Sequence, residues 1–141
     1  MNVIEYHATS VVLEDAGLMI AGPSGIGKSD LALRLIDSGA TLISDDITIC
    51  KKIGNELKLF APKKTRGLLE VREIGIINVP YVENVRLLSI VILNMNNLER
   101  MPNERFKTIK GIKVPIFSLY GNHPSAVIKI KVKLNEFKKI I

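Results

Sequence analysis

Apolar residues fall in short, strand-sized runs along most of this chain, and at helical spacing in one clear place. The runs IEYHATSVVL (4–13) and LMIAG (18–22) read as two strands joined by the turn EDAG, with Gly17 supplying its flexible position. After a glycine-rich stretch, Leu31, Ala32, Leu35 and Ile36 recur at helical spacing, and Gly39 follows as a C-terminal cap. ATLIS (40–44) is then a short buried strand, DITICKK (46–52) and ELKLF (56–60) form a hairpin around IGN, and VRLLSIVIL (85–93) is a central strand. The expected sheet is mixed. VIKIKVKL (127–134) carries two periods at once. Apolar residues and lysines alternate as in a half-buried strand, while Val127, Ile130, Leu134, Phe137 and Ile141 form one helical stripe behind a Ser125 cap. Local pattern leaves both readings open.

A chain of 141 residues with 47% hydrophobic and 24% charged content fits one ordinary folded domain, 1–141, with no linker and no repeat. Its lone cysteine, Cys50, has no partner for an internal disulfide, and MNVIEYHATS has neither the basic start nor the apolar run of a secretory signal. With no apolar run of transmembrane length, the expectation is a cytoplasmic protein without a membrane partner. The net charge of +6 suits nucleic acid, anionic ligands or an acidic protein. The lysines are scattered or in short clusters with few aromatics between them, so nucleic acid is not the expected partner. One cluster, Lys63, Lys64 and Arg66, reads as a mobile loop, either a docking or phosphate-guiding patch or simply solvated.

The glycine-rich stretch carries the chemistry. GPSGIGKS, comprising Gly22, Pro23, Ser24, Gly25, Ile26, Gly27, Lys28 and Ser29, fits G-x-x-x-x-G-K-[ST] between a strand and a helix. In that motif, glycines let backbone N–H groups wrap phosphate oxygens, the lysine reaches the terminal phosphates and the serine hydroxyl binds magnesium. The helix N-terminus adds its partial positive charge. At the end of the next strand, LISDD places Asp45 and Asp46 side by side. On extended backbone their side chains point to opposite sides, one towards a metal and the other towards an incoming hydroxyl. A strand-end turn capped by one aspartate is the alternative.

The stretches HATSVVL, GPSGIGKSDLALRLIDSGATLISDDITI and LLEVREIGIINV together resemble the catalytic domain of HPr kinase/phosphorylase, most closely the short proteobacterial form without an N-terminal domain. The resemblance implies an α/β fold, a P-loop nucleotide-binding core of the phosphoenolpyruvate carboxykinase-like type with a mixed sheet and few helices. It implies transfer of the terminal phosphoryl group of ATP, with Mg2+, to a serine of the phosphocarrier HPr, in regulation of the phosphotransferase system, and leaves open phosphorolytic removal of that group. His7 takes the place of the family's active-site histidine, Lys28 its loop lysine, Ser29 a magnesium ligand, and Asp46 the general base with Asp45 beside it as a metal ligand. Glu70 corresponds to a further metal ligand, Arg72 to a residue near the transferred phosphate, and Arg100 to a catalytic arginine. The family's chain is helical after its last loop, which favours helix for Ser125–Lys139, and family members form hexamers, so a homo-oligomer is expected here.

The residues alone say less: His7 fits a core or surface histidine, and Glu70 with Arg72 fits a surface ion pair. Two departures stand out. Glu73 follows Arg72 where the family signature has glycine, and Ala8 stands where the long forms have glycine. VPIFSLYGNHP (114–124) corresponds to the family's arginine-containing loop used in phosphorolysis, but carries no arginine or lysine. A small-molecule kinase would share every phosphate-handling residue, and a nucleotide-sensing module would keep the loop without turnover.

Overall fold

The structure is a computed structural model that describes residues 2–96 and 98–139. In chain order its strands and helices are β1 (Val3–Tyr6), β2 (Ala8–Leu13), β3 (Ala16–Ala21), α1 (Lys28–Asp37), β4 (Thr41–Ser44), β5 (Thr48–Ile53), β6 (Glu56–Phe60), β7 (Leu68–Val71), β8 (Gly75–Asn78), β9 (Val85–Leu93), β10 (Arg105–Ile109), β11 (Ile112–Leu119) and α2 (Ala126–Lys138). The main sheet runs β1-β5-β6-β9-β3-β2-β4, with β11 and then β10 branching from β9, while β7 and β8 form a separate hairpin. It is mixed, as the pattern suggested: β3 and β11 run parallel to β9, and the remaining pairs are antiparallel.

Strand β9 divides its work. Val85 and Arg86 pair with β6, and Ile90–Leu93 pair with β11, while β3 follows β9 from Leu87 to Ile92. A central strand covered on both faces has to be largely apolar, and VRLLSIVIL departs from that only at Arg86, paired with Glu56, and at buried Ser89, whose hydroxyl donates to the Pro115 carbonyl. Successive side chains enter two different cores. Leu18, Ile20, Val91 and Leu93 pack under α1 and α2 with Leu31, Leu35, Ile130 and Phe137. Met19 and Ile90 face the opposite side, where β5, β6, β10 and β11 close over them with Cys50, Leu59 and Val114. Burial there pushes the Cys50 thiol up to about 11, so it stays protonated and inert.

Helix α1 begins directly out of the glycine-rich loop and buries Leu31, Ala32 and Leu35. Its end is a Schellman cap. Gly39, at φ 112°, donates its N–H to the Ile36 carbonyl, and the Ala40 N–H reaches the Leu35 carbonyl. The ambiguous C-terminal segment is helix, burying Ala126, Ile130, Leu134 and Phe137 at helical spacing, with Val127 packed against the same core. Tertiary burial of that stripe overrides the alternating lysines; Ile141 lies outside the described residues. Ser125 does precede α2, but its side chain makes no capping bond to the helix and meets His123 Nδ1 at 2.7 Å instead.

Several local expectations are corrected. The run 4–13 is two strands broken at His7, because β1 leaves to pair with β5 while β2 pairs with β3 and β4. The β2–β3 turn is Glu14–Asp15, both at positive φ (49° and 67°), as a two-residue hairpin loop requires. Gly17 lies inside β3, where a Cβ would stand 2.2 Å from the Arg86 carbonyl oxygen, so it is needed for close backbone approach and not for a turn. The Lys63–Lys64–Arg66 segment is a 3-10 turn over Lys63–Thr65, with Arg66 Nε 3.1 Å from Glu83 Oε1. Finally, the first half of VPIFSLYGNHP is strand β11; only the stretch from Tyr120 to Ser125 connects it to α2.

Candidate functional site

The glycine-rich loop leaves the end of β3 and returns into α1, so it sits at the carboxyl end of the parallel β3–β9 pair. Gly22, Gly25 and Gly27 adopt φ of 151°, 80° and 105°, which L side chains resist. A Cβ on Gly22 would also meet Ile26 at 3.0 Å and the Leu93 carbonyl oxygen at 3.3 Å. The loop is thereby tucked against the end of β9. Lys28 reaches back across it, its Nζ donating to the carbonyls of Gly22 (2.9 Å) and Pro23 (3.1 Å). Ser24 to Ser29 line a cleft of about 390 Å³; Gly22 and Pro23 lie outside its wall and act through the lysine they hold.

The two aspartates separate sharply in environment. Asp45 is buried and accepts three hydrogen bonds. Thr9 Oγ1 (3.0 Å) and Ser29 Oγ (2.7 Å) donate to Oδ1, and the Glu70 backbone N–H (3.0 Å) donates to Oδ2. One carboxylate thus fastens together β2, the loop serine and the β7–β8 hairpin. Asp46 is exposed and lines the cleft. The extended geometry expected for the pair does not hold. Asp46 has φ 68°, and the Ile47 N–H bonds the Asp45 carbonyl at 2.7 Å, closing a tight three-residue turn. The side chains diverge through this turn and not through strand alternation. Such positive-φ conformations in residues other than glycine cluster at functional sites.

Glu70 and Arg72 come to the cleft on the β7–β8 hairpin, both exposed. The hairpin turns at Arg72–Glu73, with the Ile74 N–H bonded to the Val71 carbonyl at 3.0 Å and Glu73 at φ 73°. That is the third position of a turn that ordinarily takes glycine, so the departure noted at Glu73 falls where the backbone wants the missing residue. Glu73 itself lines the cleft. His7 is exposed at the break between β1 and β2, and Arg100 is exposed in the segment between β9 and β10; neither lines the cleft.

Two further residues of the cleft wall were not legible in the sequence. Thr9, fully buried on β2, bonds Asp45 and also accepts the Asp46 N–H at 3.2 Å. Asn122 belongs to the loop before α2, which Arg34 anchors by donating from Nη2 to the Gly121 carbonyl, and its Oδ1 stands 3.4 Å from where a Cβ of Gly27 would be. No local motif marks either one; both arrive by tertiary approach.

The donor set suits a hard cation. Ser29, Asp45 and Glu70 offer oxygen ligands beside a phosphate-shaped loop, and among the described residues no group of three or more His, Cys, Asp or Glu could hold a metal on its own. This fits magnesium, which shares its shell with substrate phosphates and water in preference to an all-protein cage.

A glycine-rich loop with its lysine, a loop serine tied to a strand-end aspartate, and a second aspartate lining the same cleft are the features a phosphate-handling site requires. More particularly, residues 1–139 match the model of the HPr serine kinase C-terminal domain, and the chain belongs to that family. It is 32% identical over 124 residues to the HPr kinase/phosphorylase of Malacoplasma penetrans, covering 79% of this chain and 41% of that protein. Against the HPr kinase/phosphorylase of Clostridium tetani it is 46% identical over 74 residues, 52% of this chain and 24% of the relative. The chain therefore spans less than half the length of these curated relatives. The solved structure of the Hpr(Ser) kinase/phosphatase from Coxiella burnetii superimposes with a TM-score of 0.85 at 28% identity, covering 97% of this chain and 98% of that one. The mixed α/β fold with a curled mixed sheet and few helices is shared with it. No helix among the described residues is long and apolar enough to cross a membrane.

Proposed function

We propose that this chain is the catalytic domain of an ATP-dependent protein-serine kinase acting on an HPr-like phosphocarrier, built on a P-loop core of the phosphoenolpyruvate carboxykinase-like type. The observation that carries the proposal is the three-way fastening at Asp45, which locks the loop serine and the Glu70 hairpin to one strand end. Loop N–H groups and Lys28 receive the nucleotide's phosphates, so Lys28 exchanges its contacts with the Gly22 and Pro23 carbonyls for phosphate oxygens. Bound magnesium, held by Ser29, Asp45 and Glu70, would neutralise charge on those oxygens. Asp46, free of the bonds that occupy Asp45, orients the acceptor serine hydroxyl and takes its proton. Arg72, across the cleft, faces the phosphoryl group in transit.

Recognition of a whole protein by so small a core favours a homo-oligomer, with neighbouring subunits completing the docking surface. A cytoplasmic location follows from the substrate proposed. Incubation with γ-labelled ATP, Mg2+ and separate samples of HPr, HPr lacking its acceptor serine, and a panel of small hydroxyl compounds tests the reading. Label on intact HPr alone is the expected result. A labelled small molecule would make this a metabolite kinase, and bound nucleotide with no transfer would make it a sensor, the reading to which Glu73 lends some weight.

A further inference from the structure

We propose that Thr9 is a positioning residue whose hydroxyl aims Asp46 into the cleft, an inference that rests on the kinase reading of the same site. Its hydroxyl is fully buried, and it is used in both directions, donating to Asp45 Oδ1 (3.0 Å) and accepting the Asp46 N–H (3.2 Å). It therefore ties the side chain of one aspartate to the backbone of the next. The backbone at Asp46 needs such a tie, since φ 68° is a conformation an aspartate leaves readily when nothing holds it.

The far side of the turn is held separately. Ser44 Oγ donates to the Ile47 carbonyl, and Thr48 Oγ1 donates to the Ala8 carbonyl (2.8 Å) while meeting Ser10 Oγ (2.8 Å). Ile47 and Thr48 thus stay in place without Thr9, whereas the Asp46 N–H has no other protein acceptor among the described bonds. A register shift between Ser10 and Val11 in the β2–β4 pairing sets Ser10 opposite Ser44 instead of Ile43, which brings Thr9 level with Asp45 instead of Ser44. Loss of the hydroxyl should let the Asp46 carboxylate swing away from the acceptor while the phosphate loop keeps its Ser29–Asp45 bond.

Thr9→Val preserves shape and removes the hydroxyl; Thr9→Ser keeps the hydroxyl and removes a methyl group. With HPr as acceptor, Thr9→Val should lower kcat by about 10-fold or more and leave the KM for ATP within about 2-fold, whereas Thr9→Ser should stay within about 3-fold of wild type. In an Asp46→Asn background, Thr9→Val should cost under about 2-fold, because the carboxylate it aims is gone. Hydrogen exchange at the Asp46 amide should be about 10-fold faster in Thr9→Val and unchanged in Thr9→Ser. A kcat within about 2-fold of wild type for Thr9→Val, an undiminished cost in the Asp46→Asn background, or unchanged amide exchange would each overturn the proposal. Should wild-type protein transfer nothing to HPr, the kinase reading falls by itself, and amide exchange alone decides whether Thr9 holds the turn.

Discussion

The two walls of the cleft are built differently. On the loop side, Ser29, Asp45 and Thr9 are tied by hydrogen bonds of 2.7–3.0 Å, and Leu31 and Leu35 anchor α1 in the larger core. On the hairpin side, β7 and β8 pair only with each other; Glu70, Arg72 and Glu73 are exposed, and Ile74 and Ile76 project into solvent. The wall proposed to meet a nucleotide is finished in advance. The wall that would meet an acceptor protein is left open, its exposed isoleucines available for a partner to cover.

This contrast is most severely tested at Lys28. Lys28→Ala removes the cation that reaches back across the loop, and transfer should fall about 1,000-fold or more, with the thermal midpoint nearly unchanged because the lysine bonds only exposed or half-buried carbonyls. A folded variant retaining transfer within a few-fold would remove the loop from the mechanism. Asp46→Asn should lower transfer about 100-fold while sparing nucleotide affinity. Asp45→Asn has a different signature. It disturbs three hydrogen bonds, one buried and two half-buried, so it should cost about 1–3 kcal/mol of stability in urea unfolding and weaken the magnesium dependence of nucleotide binding. Equal, mild effects in both variants would mean that the two aspartates do not divide the work.

Smaller effects belong to the hairpin side and the loop before α2. That loop places Asn122, not an arginine, beside Gly27, and the Arg34 that reaches it is held by Asp30 and the Gly121 carbonyl, so among the described residues a free phosphate finds no uncommitted bidentate cation there. Phosphorylated HPr mixed with the protein, Mg2+ and excess phosphate should therefore release pyrophosphate about 10-fold more slowly than the forward reaction proceeds. Comparable rates would show that Arg72 or another cation serves both directions. The mildest change is expected for Glu73→Gly. Relief of the left-handed backbone at φ 73° should raise stability by about 1 kcal/mol, and loss of a negative charge from the cleft should speed transfer by a few-fold. A destabilised variant would mean that the turn is held by the Glu73 side chain itself.

Much of this was legible in the sequence, for physical reasons that differ by element. The loop motif, the α1 stripe, the Gly39 cap and the largely apolar run of β9 are local signals, and each lies where its pattern placed it. The C-terminal segment was undecidable locally because its lysine alternation and its apolar stripe are both real; packing of Ile130, Leu134 and Phe137 on the sheet settles it. Gly17 was misread because a glycine forced by another strand's carbonyl looks like a turn glycine until Arg86 is brought beside it. Asp46 was misread for a similar reason. Strand alternation was assumed where a tight turn intervenes, and the residue that ties that turn, Thr9, lies far away in the chain.

The parallel pairing of β3 with β9 joins Gly17 to Leu87, and nearly everything that handles phosphate lies between those two strands in the chain. The loop, α1, both aspartates and the signature hairpin are all contained in one large closed segment. During synthesis the end of β3 that carries the loop has no parallel neighbour until β9 has emerged and docked, although Thr9, Ser29, Asp45 and Glu70 can already bond one another, and closing a segment of that size is slow compared with forming α1 or the β5–β6 hairpin. A ribosome-bound chain therefore carries the complete motif long before it has a nucleotide pocket. The cleft would be completed in two stages, β9 bracing the loop first and the Asn122 loop before α2 closing the wall afterwards.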